Sequence, residues 1–182
     1  MDLGHWDLVI PFWSLELGHF TSPLHTAAVK LGIISDTHGT VPAAVHDALA
    51  GVDHILHAGD VGPVDIITEL EAIAPVSAVR GNTDFAIDLP ETRLIEFGGN
   101  KFLIHHIVDF PVPSQTVRAL LAEEQPDVVV FGHTHMPYNE LLNGVLYLNP
   151  GSPATPRGGA PATVAVVEFE NGSPRARHVV LT

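Results

Sequence analysis

The chain has 182 residues, 46% of them hydrophobic, enough to bury the core of one ordinary domain. Its 8 Lys and Arg against 21 Asp and Glu leave a formal charge of −13, which argues against a protein that tracks the phosphates of a long nucleic acid. With 0 cysteines there are no disulfides, thiolate zinc sites, iron–sulfur clusters or Cys nucleophiles, and 12 histidines in so acidic a chain point toward metal.

Residues 1–29 contain no Lys or Arg, so neither a secretory signal nor a mitochondrial presequence is expected, and a cytoplasmic location is the default. Trp6, Phe12, Trp13 and Phe20 make this stretch an N-terminal extension, read either as an arm packing on the domain or a neighbouring subunit, hinting at a homodimer, or as a lid over a site. Residues 30–182 read as a single domain. A buried strand is predicted over 30–35, ended by Asp36-Thr37-His38-Gly39. Pro42 suits the first turn of a helix whose Val41, Val45 and Leu49 recur every fourth residue until Gly51. A second strand over 53–58 runs into Gly59-Asp60. Pro63 opens a second helix with Ile66, Ile67, Leu70 and Ile73 on one stripe, and a third strand over 76–79 ends at Gly81-Asn82-Thr83-Asp84. This β-α-β-α-β alternation predicts a parallel sheet with helices outside.

Beyond Pro90 the rhythm changes. Strands over 92–97 and 101–106 flank Gly98-Gly99-Asn100, a hairpin signal. Ser114 caps a third helix through Glu124, and a buried strand over 128–131, too short to span a membrane, leads into Gly132-His133-Thr134-His135. Two hairpins follow, 138–142 with 145–148 and 163–170 with 176–181. The predicted class is α/β: two mixed β-sheets packed face to face with helices on the outer faces.

Each polar cluster directly follows an apolar strand, where open α/β sheets bind their ligands. Asp36-x-His38, Asp60, Asn82, one of His105 and His106, and His133-x-His135 all occupy such positions. Residues two apart in extended backbone point the same way, so each spaced pair can share a metal region; the adjacent His105 and His106 point oppositely, so at most one is a ligand. His54 and His57 read as structural or as supporting a ligand from behind, and His5, His19, His25, His46 and His178 fall outside the constellation. Carboxylate, carboxamide and imidazole donors without sulfur suit Mn2+, Fe2+, Zn2+ or Ni2+ better than Ca2+. So many ligands exceed one tetrahedral ion; two ions about 3.5–4 Å apart sharing a carboxylate account for them.

The stretches Ile34-Ser35-Asp36-Thr37-His38-Gly39, His57-Ala58-Gly59-Asp60, Val79-Arg80-Gly81-Asn82-Thr83-Asp84, Leu103-Ile104-His105, Gly132-His133-Thr134-His135 and Leu148-Asn149-Pro150-Gly151-Ser152 together resemble the calcineurin-like metallophosphoesterase superfamily, in particular its small phosphodiesterase branch related to the retromer subunit Vps29. The resemblance implies an αββα sandwich with a dinuclear site. Asp36, His38 and His135 would hold one ion, and Asn82, His105 and His133 the other. Asp60 would bridge them, and His105 is favoured because the family's ligand opens a His-Gly pair. It further implies a phosphodiesterase acting on small phosphodiesters, with two divalent cations, Mn2+ first and Fe2+, Zn2+ or Ni2+ as alternatives, acidifying a bridging water for in-line attack on phosphorus. Asp60, Asn82, His38 and Asp84 would form the catalytic set, Asp84 by orienting a ligand. Many relatives carry a His between that Asn and Asp to assist the leaving group. Here the position is Thr83, which cannot act as a general acid near neutral pH, so slow turnover or a bias toward good leaving groups is expected. Arg80 and Arg157 are scarce cations near the motifs that could contact a phosphate. No membrane or long nucleic-acid partner is expected. The rival implied by the same resemblance is a Vps29-like interaction scaffold with a vestigial or structural metal site.

Overall fold

Short apolar runs separated by turn residues form ten strands and three helices among the described residues, 29–109 and 112–182 of a computed structural model. The first half contains β1 (Leu31–Ile34), α1 (Ala44–Ala48), β2 (His54–His57), α2 (Asp65–Glu71), β3 (Val76–Ala78), β4 (Thr92–Phe97) and β5 (Asn100–His105). Then come α3 (Gln115–Glu124), β6 (Val128–Val130), β7 (Pro137–Leu142), β8 (Val145–Pro150), β9 (Thr163–Glu170) and β10 (Ser173–Val180). The expected N-terminal arm or lid lies outside the described residues, apart from Val29.

The strands make two five-stranded mixed sheets, ordered β10-β9-β1-β2-β3 and β4-β5-β6-β8-β7. Parallel β1, β2 and β3 are joined by α1 and α2, and β9 closes antiparallel on the other side of β1. In the second sheet α3 carries the chain from β5 to its parallel neighbour β6, and β8 lies parallel beyond it. Three apolar layers hold this together. Leu31, Ile33, Leu56, Phe102, Ile104, Val130 and Leu148 fill the space between the sheets. Ile34 points the other way, packing with Val45, Leu49, Ile66 and Leu70 under α1 and α2. Leu103, Val129, Phe131 and Tyr147 meet Val117 of α3. Each fully buried aliphatic side chain contributes about 1.5–3 kcal/mol, and the strands' alternation is what divides them between layers. The result is the αββα sandwich that the sequence pattern suggested.

Three local departures have physical reasons. The first helix begins late, because His38 and Gly39 spend their N–H groups on Asp60 O and Val61 O, both at 2.9 Å, before Pro42 accepts the first turn's bond from Val45. The β4–β5 hairpin turns on Gly98-Gly99 alone, with φ of 57° and 76°, so Asn100 belongs to β5. Strand β10 starts at Ser173 and tolerates Pro174 because it is an edge strand. Among the described residues, no helix is long and apolar enough to cross a membrane.

Candidate metal centre

The loops leaving β1, β2, β3, β5 and β6 meet along one rim of the sandwich. Of the eight non-glycine residues with positive φ among those described, five are expected ligands: Asp36 at 55°, His38 at 45°, Asp60 at 53°, His133 at 68° and His135 at 58°. A left-handed backbone costs an L-residue about 1–2 kcal/mol, and such strain is kept mainly where the surroundings enforce it. Here pairing between loops enforces it: Asp36 N donates to Gly59 O at 2.9 Å and Gly132 N donates to His106 O at 3.0 Å. The two spaced pairs are therefore not extended, contrary to expectation. Asp36 and His38 nevertheless converge, whereas His133 and His135 turn to different halves of the site.

One half gathers Asp36, His38 and His135, whose donor atoms lie within 4.8 Å of one another. His135 Nε2 is 3.3 Å from Asp36 Oδ1 and 3.2 Å from His38 Nε2. The other half gathers Asn82, His106 and His133: Asn82 Oδ1 is 2.9 Å from His133 Nδ1 and 3.2 Å from His106 Nε2. Asp60 stands between the halves, with Oδ2 3.7 Å from His38 Nε2 and 3.4 Å from His106 Nε2, while Oδ1 accepts from Thr83 N at 2.9 Å.

The position beside Asn82 and Asp60 expected of His105 is taken by His106. Side chains alternate along a strand, so residue 106 shares the inter-sheet side with Phe102 and Ile104, and its ring reaches the rim. His105 falls on the opposite side, its Nδ1 2.9 Å from Thr92 Oγ1, and burial lowers its pKa. Asp84, expected to orient a ligand, instead binds backbone. Its carboxylate accepts from the amides of Val61 at 3.0 Å, Gly62 at 2.9 Å and Gly81 at 2.8 Å, tying the loop after β2 to the loop after β3. It holds backbone in place and orients no ligand side chain directly.

The donor chemistry fits a divalent cation. His106 Nδ1 donates to Ala58 O at 2.7 Å and His135 Nδ1 donates to Thr155 O at 2.6 Å, so both Nε2 atoms present lone pairs to the cleft. There they face carboxylate and carboxamide oxygens, acceptors against acceptors, an arrangement that a bound cation relieves. Burial opposes charge on His106, but the Asp60 hydrogen bond and the Asp36 charge outweigh it and raise its pKa. Burial also raises the Asp36 pKa. For Asp60 burial pulls upward, yet the bonds from His106 and Thr83 prevail and hold its carboxyl well below the usual range.

Close packing dictates two glycines. A Cβ on Gly132 would run into Ser35 Oγ and lie 2.7 Å from Asp36 Oδ2; one on Gly81 would run into Asp60 Oδ1. Sequence reasoning also left unassigned the groups behind the ligands. Asn149 Nδ2 donates to Gly132 O at 2.8 Å, and Ser152 Oγ donates to Asp36 O at 2.8 Å. Thr155 carries the carbonyl that fixes His135, a backbone role with no sequence signal, whereas the alternation Phe102, Ile104, His106 was available. His57 is structural as expected: it accepts from Gly59 N at 3.2 Å through Nδ1, meets Thr37 Oγ1 at 2.9 Å through Nε2, and burial lowers its pKa to about 3. Arg80 lines a cavity of about 230 Å3 beside Asn82 and His106 and pairs there with Glu91 at 3.3 Å. Arg157 is exposed, and its backbone N–H donates to His135 O at 3.4 Å.

A family profile described as the calcineurin-like phosphoesterase superfamily domain matches residues 29–172. The chain is 44% identical over 135 residues to a probable metallophosphoesterase of Methanothermobacter thermautotrophicus, covering 70% of this chain and 78% of that protein. It is 32% identical over 167 residues to the phosphodiesterase YfcE of Escherichia coli, covering 77% and 88%. The zinc-complexed Vps29 of Entamoeba histolytica superposes with a TM-score of 0.67 at 21% identity, covering 85% of this chain and all 100% of that one, which shows a shared fold.

Proposed function

The chain belongs to the calcineurin-like phosphoesterase superfamily and is a hydrolase of phosphoester bonds, and from that premise we propose that it is a dinuclear phosphodiesterase acting on small phosphodiesters. The observation that carries this reading is Asp60 Oδ2, set between His38 and His106 and so between two halves of different donor composition. Asp36, His38 and His135 would hold one ion, Asn82, His106 and His133 the other, with Asp60 shared. Two divalent cations there would supply Lewis-acid charge to the phosphoryl oxygens and lower the pKa of a water between them. Mn2+ is the first choice, with Fe2+, Zn2+ or Ni2+ as alternatives for the same donors.

The chain's own residues prepare that chemistry. Carbonyls of Ala58 and Thr155 hold the Nδ1 protons of His106 and His135, so that each ring turns its Nε2 to the metal position. Thr83 N holds Asp60 Oδ1 and thereby leaves Oδ2 facing both halves. The Thr83 side chain provides no acid for the departing oxygen, so esters of acidic alcohols and phenols are the favoured substrates. The formal charge of −13 disfavours long polyanions, while bound cations reverse the local field enough to admit one phosphate.

The test compares bis-p-nitrophenyl phosphate with p-nitrophenyl phosphate, each with Mn2+ and after EDTA. A diester preference abolished by chelation supports the proposal. Protein that is fully loaded with metal yet inert toward both esters sinks it, and favours an interaction scaffold of the Vps29 type.

A further inference from the structure

A phosphodiester brings two ester arms to the metal ions, and the rim offers a different surface on each side of the Asn82–His133 contact. The cavity on the Asn82 side is the small one that carries the Arg80–Glu91 ion pair. On the His133 side lies a larger cavity of about 430 Å3, within the ~300–1,000 Å3 typical of small-ligand sites. Its walls are chiefly apolar, with Val108, Phe131, Met136, Pro137 and Tyr138 beside the His133 loop. Ile107 borders both cavities, so they are neighbours across the cluster.

We propose that the cavity beyond His133 is a subsite for one uncharged, apolar ester arm, alkyl or aryl, of the phosphodiester. This rests on the phosphodiesterase reading and narrows it to a substrate class. Three observations carry it. The cavity is continuous with the cluster, because Gly132, His133 and Thr134 line it while Asn82 Oδ1 meets His133 Nδ1 at 2.9 Å on the other side. Met136 presents 46% of its surface to solvent, a cost that a bound apolar arm would recover. Its backbone is held, Met136 N donating to Thr134 Oγ1 at 3.3 Å while Asn149 Nδ2 donates to the same oxygen at 3.1 Å, so the wall stands ready. The exposed carboxylate of Asp109, also on the lining, would repel a second phosphate and so selects against charged arms.

The experiment is calorimetry of the Mn2+-loaded full chain with dimethyl phosphate and dibutyl phosphate, neither of which carries a good leaving group. Each methylene removed from water is worth roughly fourfold in affinity, so the butyl ester should bind at least about tenfold tighter. In the Met136→Asp variant that ratio should fall below about threefold, and Met136→Leu should keep it. Equal binding of the two esters by the wild type overturns the inference, as does an undiminished ratio in a folded, metal-loaded Met136→Asp protein. Selective binding of the butyl ester by protein inert toward bis-p-nitrophenyl phosphate would sink the phosphodiesterase reading and leave the apolar subsite standing.

Discussion

Replacing His106 by Asn separates ligation from packing at the least anticipated position of the site. The Asn Nδ2 can stand near the place of His106 Nδ1, so the bond to Ala58 O, 2.7 Å in the wild type, is kept. Losing it would leave a buried carbonyl unpaired at a cost of about 1–3 kcal/mol. What the variant removes is Nε2, now 3.2 Å from Asn82 Oδ1 and 3.4 Å from Asp60 Oδ2. Groups that merely orient a ligand are worth about 10–100-fold in metal affinity, so deleting a ligand atom should cost at least the upper end, about 100-fold or about 2.7 kcal/mol. Metal counting after gel filtration should then find one ion instead of two, with bis-p-nitrophenyl phosphate turnover lowered by a comparable factor. The paired His105→Asn variant, altered at a ring held by Thr92 Oγ1 and the Glu91 backbone, should keep both ions and most of the activity. A His105→Asn protein that loses an ion while His106→Asn keeps two would refute the assignment.

Asp60→Ala should release both ions, because its Oδ2 serves both halves; full two-ion occupancy in that variant, read by metal analysis, rules out a shared carboxylate. Gly132→Ala should destabilise the fold by about 1–3 kcal/mol and impair metal binding, since the new methyl enters the space of Ser35 Oγ and Asp36 Oδ2; a thermal midpoint and metal content like those of the wild type would show that the loop gives way. The buried His57 should make stability fall on mild acidification. Its folded pKa is lowered to about 3 from 6.5, so between those values the unfolded chain binds the extra proton and stability rises with pH. From pH 6.5 down to pH 5 this one ring costs about 1.5 kcal/mol. Denaturant titrations at the two pH values check it, and a His57→Gln chain with the same acid slope would discount the mechanism.

The parts of the site carried by local pattern were legible. Asp36, His38, Asp60, Asn82, His133 and His135 could be placed at strand ends from apolar runs alone, and they do converge. His106 could have been placed by carrying the alternation of Phe102 and Ile104 one step further; the expectation of a His-Gly pair pointed to His105 instead. The motif makes Asp84 an orienter of a ligand, whereas its bonding to three amides depends on loops from two different strands meeting, which no local pattern contains.

The order and type of the elements were readable along the chain, because hydrophobic period and turn chemistry act over a few residues: the parallel β-α-β-α-β half, the Gly98-Gly99 turn and the cap at Ser114 all follow from near neighbours. Assembly of the rim, by contrast, depends on contacts between distant parts of the fold. The left-handed turns at Asp36, His38, Asp60, His133 and His135 are unfavourable for each residue alone. They persist because packing the two sheets brings Asp36 to His133 N, Ser152 to Asp36 O and Thr155 O to His135, contacts across 97, 116 and 20 residues of chain.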